Sequence, residues 1–235
     1  MMRERTKRRQ AAPERPEWSR LTLRQRLLLG VWALALPVLL LGLLEAGLRV
    51  GGYGSSYPLF IRYGGEAPDM LVPNPEVARR YFPGPEPAPL PPTDLFQADK
   101  APGTLRLFVQ GASSAAGFPY SYGAAFSRML EQRLQDGDTT RPVEVVNTAV
   151  TAVNSYTLLD FADEIIAQRP DAVLVYAGHN EYYGVFGVGS SVSLGRSSFA
   201  VRGYLWLVRW RSVQLLRAAL TRLRPAPDRT GPEAS

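Results

Sequence analysis

The chain has 235 residues, no cysteine and a single histidine, His179. Disulfides, thiolate metal sites and His-rich metal clusters are thereby excluded, and neither a metal nor a cofactor is expected. The net charge of +6 sits in the flanks: residues 1–26 carry +6 and 182–227 carry +7, whereas 27–181 carry −6. The part that reads as globular is acidic, so no nucleic-acid partner is expected.

Residues 1–26 form a basic segment with nine Arg or Lys against three Glu. It is followed by LLLGVWALALPVLLLGLL, from Leu27 to Leu44, which contains no charge. Eighteen helical residues span roughly 27 Å, close to the ~30 Å hydrocarbon core of a bilayer. Pro37 is tolerable in such a helix. The run is longer than the apolar region of a signal peptide, and Leu44 and Glu45 stand where a cleavage site needs small residues. An uncleaved anchor over 27–48 is therefore expected, a single-pass helix in contact with membrane lipid. The positive-inside rule puts residues 1–26 in the cytoplasm and everything beyond the anchor outside, on the periplasmic side of a bacterial inner membrane.

Residues 49–103 are proline-rich: 51–103 hold eleven of the twenty prolines, with PGPEPAPLPP at 83–92. This composition predicts extended backbone, a linker or wrapping arm. Its aromatic residues, among them Tyr57, Phe60 and Tyr81, predict that part of it packs on the following domain.

Three strand candidates then alternate with helical periodicity. Leu105–Gln110 precedes a helix over about 123–134, and Val143–Val146 precedes a helix over about 155–168. Asp171–Ala177 is continuously apolar after its first residue, which predicts burial on both faces. Alternation of this kind implies a parallel sheet with right-handed crossovers, a doubly wound α/β layer whose site lies at the carboxyl ends of the strands. One basic helix is predicted over 199–224, with Leu205, Val208, Leu216, Leu220 and Leu223 on one face; Arg209 falls on that apolar side. Two arrangements are open for it, packing on the domain or lying on anionic lipid. The last eleven residues, 225–235, read as a disordered tail.

Each strand candidate ends in a short motif. Gly111-Ala112-Ser113-Ser114 follows the first: a serine on a tight strand-to-helix turn suits a nucleophile with a free backbone N–H, or it simply caps the helix. A phosphate loop is excluded, because Phe118 stands after Gly117 where lysine is needed. Asn147 to Ser155 follows the second and reads as a loop capped by Asn154 or Ser155. Gly178-His179-Asn180-Glu181 follows the third, where an Asn amide can serve as an oxyanion donor or as a turn residue.

Together GASSAAGFPY (111–120) and YAGHNEYYG (176–184), with the loop between them, resemble the SGNH (GDSL-like) hydrolase superfamily, in its membrane-anchored bacterial form. The resemblance covers roughly 104–184 and implies a flavodoxin-like sheet within a partial hydrolase-like domain over 104–198. It implies Ser113 as nucleophile and first oxyanion donor, Ala152 at the position of the family's second-block glycine, and Asn180 as side-chain donor. An alanine there is tolerable if its φ is negative and strained if the position requires φ > 0. The family's last block, DxxH, supplies the base and its orienting Asp, yet no His follows position 179 and the only later Asp is Asp228. His179 itself stands at the variable position of its block. Three strands are also fewer than the about five of a complete sheet of this type. The expectation is a membrane-anchored hydrolase of ester or acetyl groups, on cell-envelope glycans for example, truncated and inactive as this chain. The alternative is a non-catalytic binding module or remnant on the same scaffold.

Overall fold

A computed structural model describes residues 22–65, 67–82, 87–120, 122–186 and 197–223. The expected cytoplasmic segment up to residue 21, positions 83–86 of the proline run and the expected tail lie outside the described residues. The chain divides into two compact units, Met1–Gly52 and Tyr53–Ser235.

The first unit is the helix α1, Leu23–Val50, wider at both ends than the expected anchor. Thr22 starts it through a capping box: its hydroxyl accepts from Gln25 N–H, and the Gln25 side chain accepts from Thr22 N–H at 3.0 Å. Pro37 lies inside it. Its apolar side chains are exposed on every face, Leu34 at 77% and Val38 at 70%. Such a helix is stable only with its surface covered by something apolar, and it is long and apolar enough to cross a membrane.

The second unit begins with strands β1 (Phe60–Arg62), β2 (Met70–Pro73) and β3 (Phe96–Gln97), which pair antiparallel in the order β1-β2-β3. This is the stretch expected as a linker or wrapping arm that packs in part on the domain; it packs there, and forms a small sheet of its own as it does so. Leu59, Val77, Ala78, Tyr81 and Phe96 are all but completely buried. The aromatic residues decide this. Phe60, Phe96 and Phe108 form a triad with ring centroids 5.1–5.6 Å apart, so proline sets the extended backbone and the rings set the packing.

Strands β4 (Leu105–Gly111), β5 (Val143–Asn147) and β6 (Ala172–Tyr176) form a parallel sheet in the order β5-β4-β6. Between β4 and β5 the chain makes the single turn α2 (Ser113–Ala116) and the helix α3 (Phe126–Gly137); α4 (Ser155–Ile166) joins β5 to β6. The two faces of β4 divide by alternation. Leu107 and Val109 pack with Val145, Leu130 and Leu134 on the α3 side, while Phe108 packs with Val146, Phe161 and Ile165 on the α4 side. The chain is thus a mixed α/β protein, with one helix on each face of its parallel sheet.

Two expectations are corrected. Strand β6 is not buried on both faces: Val173 is 40% exposed and Val175 61%, because β6 is the edge of the sheet and little covers it. A run of apolar residues signals a strand made for burial, but only neighbours can supply the burial. The basic helix over 199–224 is two helices, α5 (Ser198–Leu207) and α6 (Arg211–Leu223). The break falls where Arg209 would have faced the apolar side; outside the helix its guanidinium reaches Asp160 at 2.5 Å. Val201, Leu205 and Val208 are buried, so this end of the segment packs on the domain.

On the α4 face of β4, Arg106 is completely buried. Its Nε donates to Glu144 on β5 at 2.6 Å, Nη1 to the Gln168 carbonyl at 3.0 Å and Nη2 to the Gln97 carbonyl at 2.7 Å. The guanidinium also lies over the Phe96 ring, 5.1 Å from its centroid. Arg106→Met keeps the volume but strands the Glu144 carboxylate, so it should cost about 3–5 kcal/mol. Replacing Arg106 and Glu144 together by Met should return a large part of that loss. Urea unfolding of the full chain in neutral detergent, followed by near-UV circular dichroism, measures both.

Candidate active site

Because β4, β5 and β6 run parallel, their carboxyl ends share one edge of the sheet, and the three motifs meet there. Gly111 ends β4. A Cβ on it would stand 2.3 Å from the Tyr176 carbonyl oxygen and 2.5 Å from Ala115 Cβ, so only glycine lets the ends of β4 and β6 and the turn α2 close up. Ala112 occupies the N-cap of α2 in extended conformation, and no side chain caps the turn. Ser113 is therefore not a cap. It is the first helical residue, half-buried, with its N–H ahead of the first helical hydrogen bond, and its hydroxyl has no hydrogen-bond partner among the described residues.

The loop after β5 is anchored by Asn147, fully buried. Its Nδ2 donates to the Ala115 carbonyl at 2.7 Å and to Ser127 Oγ at 2.9 Å, and its Oδ1 accepts from Ala149 N–H at 2.9 Å. Val150 N–H donates to the Gly111 carbonyl at 3.2 Å, so this loop lies against the end of β4. Ala152 follows with φ +62°, left-handed backbone that a side chain disfavours. Of the two outcomes open for an alanine at this position, tolerable at negative φ or strained at positive φ, the structure shows the second. Asn154 caps α4 by accepting from Tyr156 N–H, as expected.

After β6, Gly178 turns the chain at φ +139°. Asn180 is half-buried, and among the described residues its side-chain amide has no hydrogen-bond partner; only its carbonyl is engaged, by Gly184 N–H at 2.7 Å. Gly184 is the second close approach: a Cβ there would meet Asn180 O at 2.5 Å and Val153 O at 3.2 Å. Next to it, Val185 N–H donates to the Ala152 carbonyl at 2.9 Å. The Glu181 carboxylate accepts from Ser155 N–H at 2.9 Å and from Ser155 Oγ at 2.8 Å, across the first turn of α4. These contacts hold Asn180 beside Ala152. Ser113 stands on the neighbouring turn.

His179 is exposed; its ring lies 6.4 Å from that of Tyr176, edge to face, and no hydrogen bond fixes it among the described residues. Nor does any carboxylate among them reach Ser113 Oγ. Ser113, Ala152 and Asn180 thus lie on turns that follow the ends of three adjacent strands, and among the described residues none hydrogen-bonds the serine hydroxyl as a base.

Asp94, Asn147, Glu181 and Gly184 hold the site together and were not singled out in the sequence. For Gly184 and Glu181 a signal existed, since both belong to the third motif. Asn147 opens the second motif, but its bonds to the Ala115 carbonyl and Ser127, like the partners of Asp94, are distant in sequence and gave no signal. Asp94 is buried, accepts from Asn147 N–H at 2.8 Å and pairs with Arg128 at 3.2 Å. Burial raises its carboxyl from 3.8 to about 6, against the lowering effect of the Asn147 N–H and Arg128. No family model matches this chain, and no curated protein matches it.

Two outcomes follow from this geometry. Ala152→Gly should stabilise the full chain by about 1 kcal/mol in urea unfolding, since glycine adopts φ > 0 without a steric penalty. Asp94 binds its proton more tightly folded than unfolded, so its contribution is full below about pH 4 and is lost as pH rises through about 6. Relative to Asp94→Asn, the wild type should therefore gain roughly 2–3 kcal/mol between pH 7.5 and pH 4. Urea midpoints of both proteins across that range measure the difference.

Proposed function

We propose that this protein is a membrane-anchored hydrolase scaffold of the SGNH type, which binds an acyl ester at Ser113, Ala152 and Asn180 but turns it over poorly. The observation that carries the reading is the state of Ser113: it opens the turn after β4 without capping it, its hydroxyl unspent. The sheet supports the reading as well. The order β5-β4-β6, second-first-third in the parallel layer with helices on opposite faces, is that of the first three strands of a flavodoxin-like sheet. The unspent Asn180 amide and the left-handed backbone at Ala152, a conformation suited to glycine, fit the same pattern.

Chemically, Ser113 Oγ would attack the ester carbonyl while Ser113 N–H, Ala152 N–H and the Asn180 amide take up the charge on the carbonyl oxygen. A serine hydroxyl is almost wholly protonated at neutral pH and needs a base within hydrogen-bond reach. The described residues provide none. Binding and oxyanion stabilisation alone leave roughly 10³–10⁴-fold over water in serine hydrolases that have lost a triad member. A binding role is the second reading, favoured by that same lack of a base. The α1 helix holds the domain at a membrane in both readings, and the basic residues before it favour an outward-facing domain by the positive-inside rule.

A fluorophosphonate probe tests the site without requiring turnover, because one attack suffices: the Oγ–P bond forms, the P–F bond breaks, fluoride leaves and the hydroxyl proton passes to water. The full chain in neutral detergent should be labelled slowly at Ser113, identified by peptide mass spectrometry. Asn180→Ala should slow labelling by roughly 10²-fold, and hydrolysis of p-nitrophenyl acetate should match that of Ser113→Ala. Labelling spread over other serines with Ser113 untouched would remove the assignment. Rapid turnover lost in both Ser113→Ala and His179→Ala would make His179 a base.

A further inference from the structure

Within the second unit, α4 and the segment that begins with α5 leave a cleft of about 200 Å³ between them. Four charged side chains line it: Asp160 and Asp163 from α4, Arg202 from α5 and Arg209 from the turn after α5. Their formal charges cancel, but the four are not equivalent. The Asp160 carboxylate is already spent. It accepts from Arg209 at 2.5 Å, from Arg80 at 3.1 Å and from the Tyr81 hydroxyl at 2.6 Å, a cluster that ties α4 to the rest of the fold.

Asp163 and Arg202 stand apart from that cluster. Both are exposed, and among the described residues neither charged group has a hydrogen bond or an ion pair, not even with the other. Two opposite charges thus line one small cleft beyond ion-pair reach of each other. A ligand of a single sign would gain at one of them and be repelled by the other. A ligand that carries both signs a short distance apart gains at both.

The remaining wall is apolar. Leu205 is buried, while Leu159 on α4 and Trp206 on α5 are 53% and 56% exposed. The Trp206 ring meets that of Trp210 edge to face, with centroids 5.2 Å apart, which limits how far it can swing. Pockets for drug-sized ligands hold roughly 300–1,000 Å³, so this cleft suits a smaller molecule.

We propose that this cleft binds a free α-amino acid with an aliphatic side chain. Arg202 takes the carboxylate through two parallel N–H···O bonds, which the planar guanidinium is shaped to make. Asp163 takes the ammonium group, and the face of Trp206 attracts the same charge. The aliphatic side chain lies against Leu159 and Leu205. The site shares α4 with the candidate active site, whose Glu181 grips Ser155 at the start of that helix, but it does not depend on the ester chemistry.

The test titrates the full chain in neutral detergent with L-leucine and follows tryptophan fluorescence, to which Trp206 contributes from inside the cleft. Leucine should give a saturable change. Isoamylamine, which lacks the carboxylate, and isocaproate, which lacks the ammonium group, should each bind about tenfold or more weakly. Arg202→Gln should weaken leucine about tenfold and leave isoamylamine unchanged, because only the carboxylate contact is lost. Asp163→Asn should weaken leucine to a similar degree and leave isocaproate unchanged. Helix content by circular dichroism should be the same in all three proteins. No saturable response to leucine, equal binding of isoamylamine or isocaproate, or undiminished leucine binding in either variant would each overturn the proposal.

Discussion

A guanidinium with no access to water must find partners for its N–H groups inside the protein, and Arg106 finds its partners on three separate pieces of chain. Glu144 lies on β5, the Gln168 carbonyl lies just beyond α4, the Gln97 carbonyl ends β3, and the Phe96 ring lies under the guanidinium plane. Because the penalty for leaving any of these unmade is large, the three pieces are held in one arrangement with β4 or the charge is not buried at all. The antiparallel strands of the proline-rich stretch therefore cannot be regarded as a covering added to a finished sheet. They contribute to the environment in which β4 exists.

A second polar cluster does for α4 and α5 what Arg106 does for the strands. Arg80 and Tyr81, at the end of a 3-10 turn, reach Asp160 and Glu164 on α4, and Leu59 N–H donates to Glu164 at 2.6 Å. Between them the two clusters fix the helix whose first turn carries Ser155 and the loop whose middle carries Ala152. Precision at the candidate site is thus inherited from contacts far from it. Two glycines, Gly111 and Gly184, then set how closely the three turns approach.

Much of this was legible in the sequence where the signal was local. The limits of β4, β5 and β6 follow from apolar runs and the turn residues after them, whereas an alanine at position 152 left open whether its φ is negative and tolerable or positive and strained. What was hidden depends on partners distant in the chain. An arginine in LRLFVQ reads as a solvent-facing residue, and nothing nearby shows that Glu144 and Gln97 will enclose it. Prolines at 58, 68, 73 and 75 signal extended backbone and the rings between them signal packing, but neither shows that the stretch pairs into strands β1, β2 and β3. Arg209 on the apolar side of a predicted helix was a local warning of the break at Val208–Trp210, visible but ambiguous until Asp160 stood opposite. Exposure of β6 was not legible at all, since an apolar strand looks the same whether or not a neighbour covers it.

That exposed strand bears on how the chain behaves among its own copies. AVLVY is five residues of high strand propensity without a charge, and one edge of its backbone hydrogen-bonding groups faces outward. Segments of this kind seed cross-β stacking. Protection normally comes from a proline or a charge at the ends of the run. Here Pro170 guards the entry, but the Asp171 carboxylate is already engaged by Lys100 at 2.6 Å and Arg106 N–H at 2.7 Å. At the exit no charge appears before Glu181, which Ser155 occupies. Among the described residues nothing pairs with that outer edge, so the segment most open to a second copy of the chain is also one of the least charged.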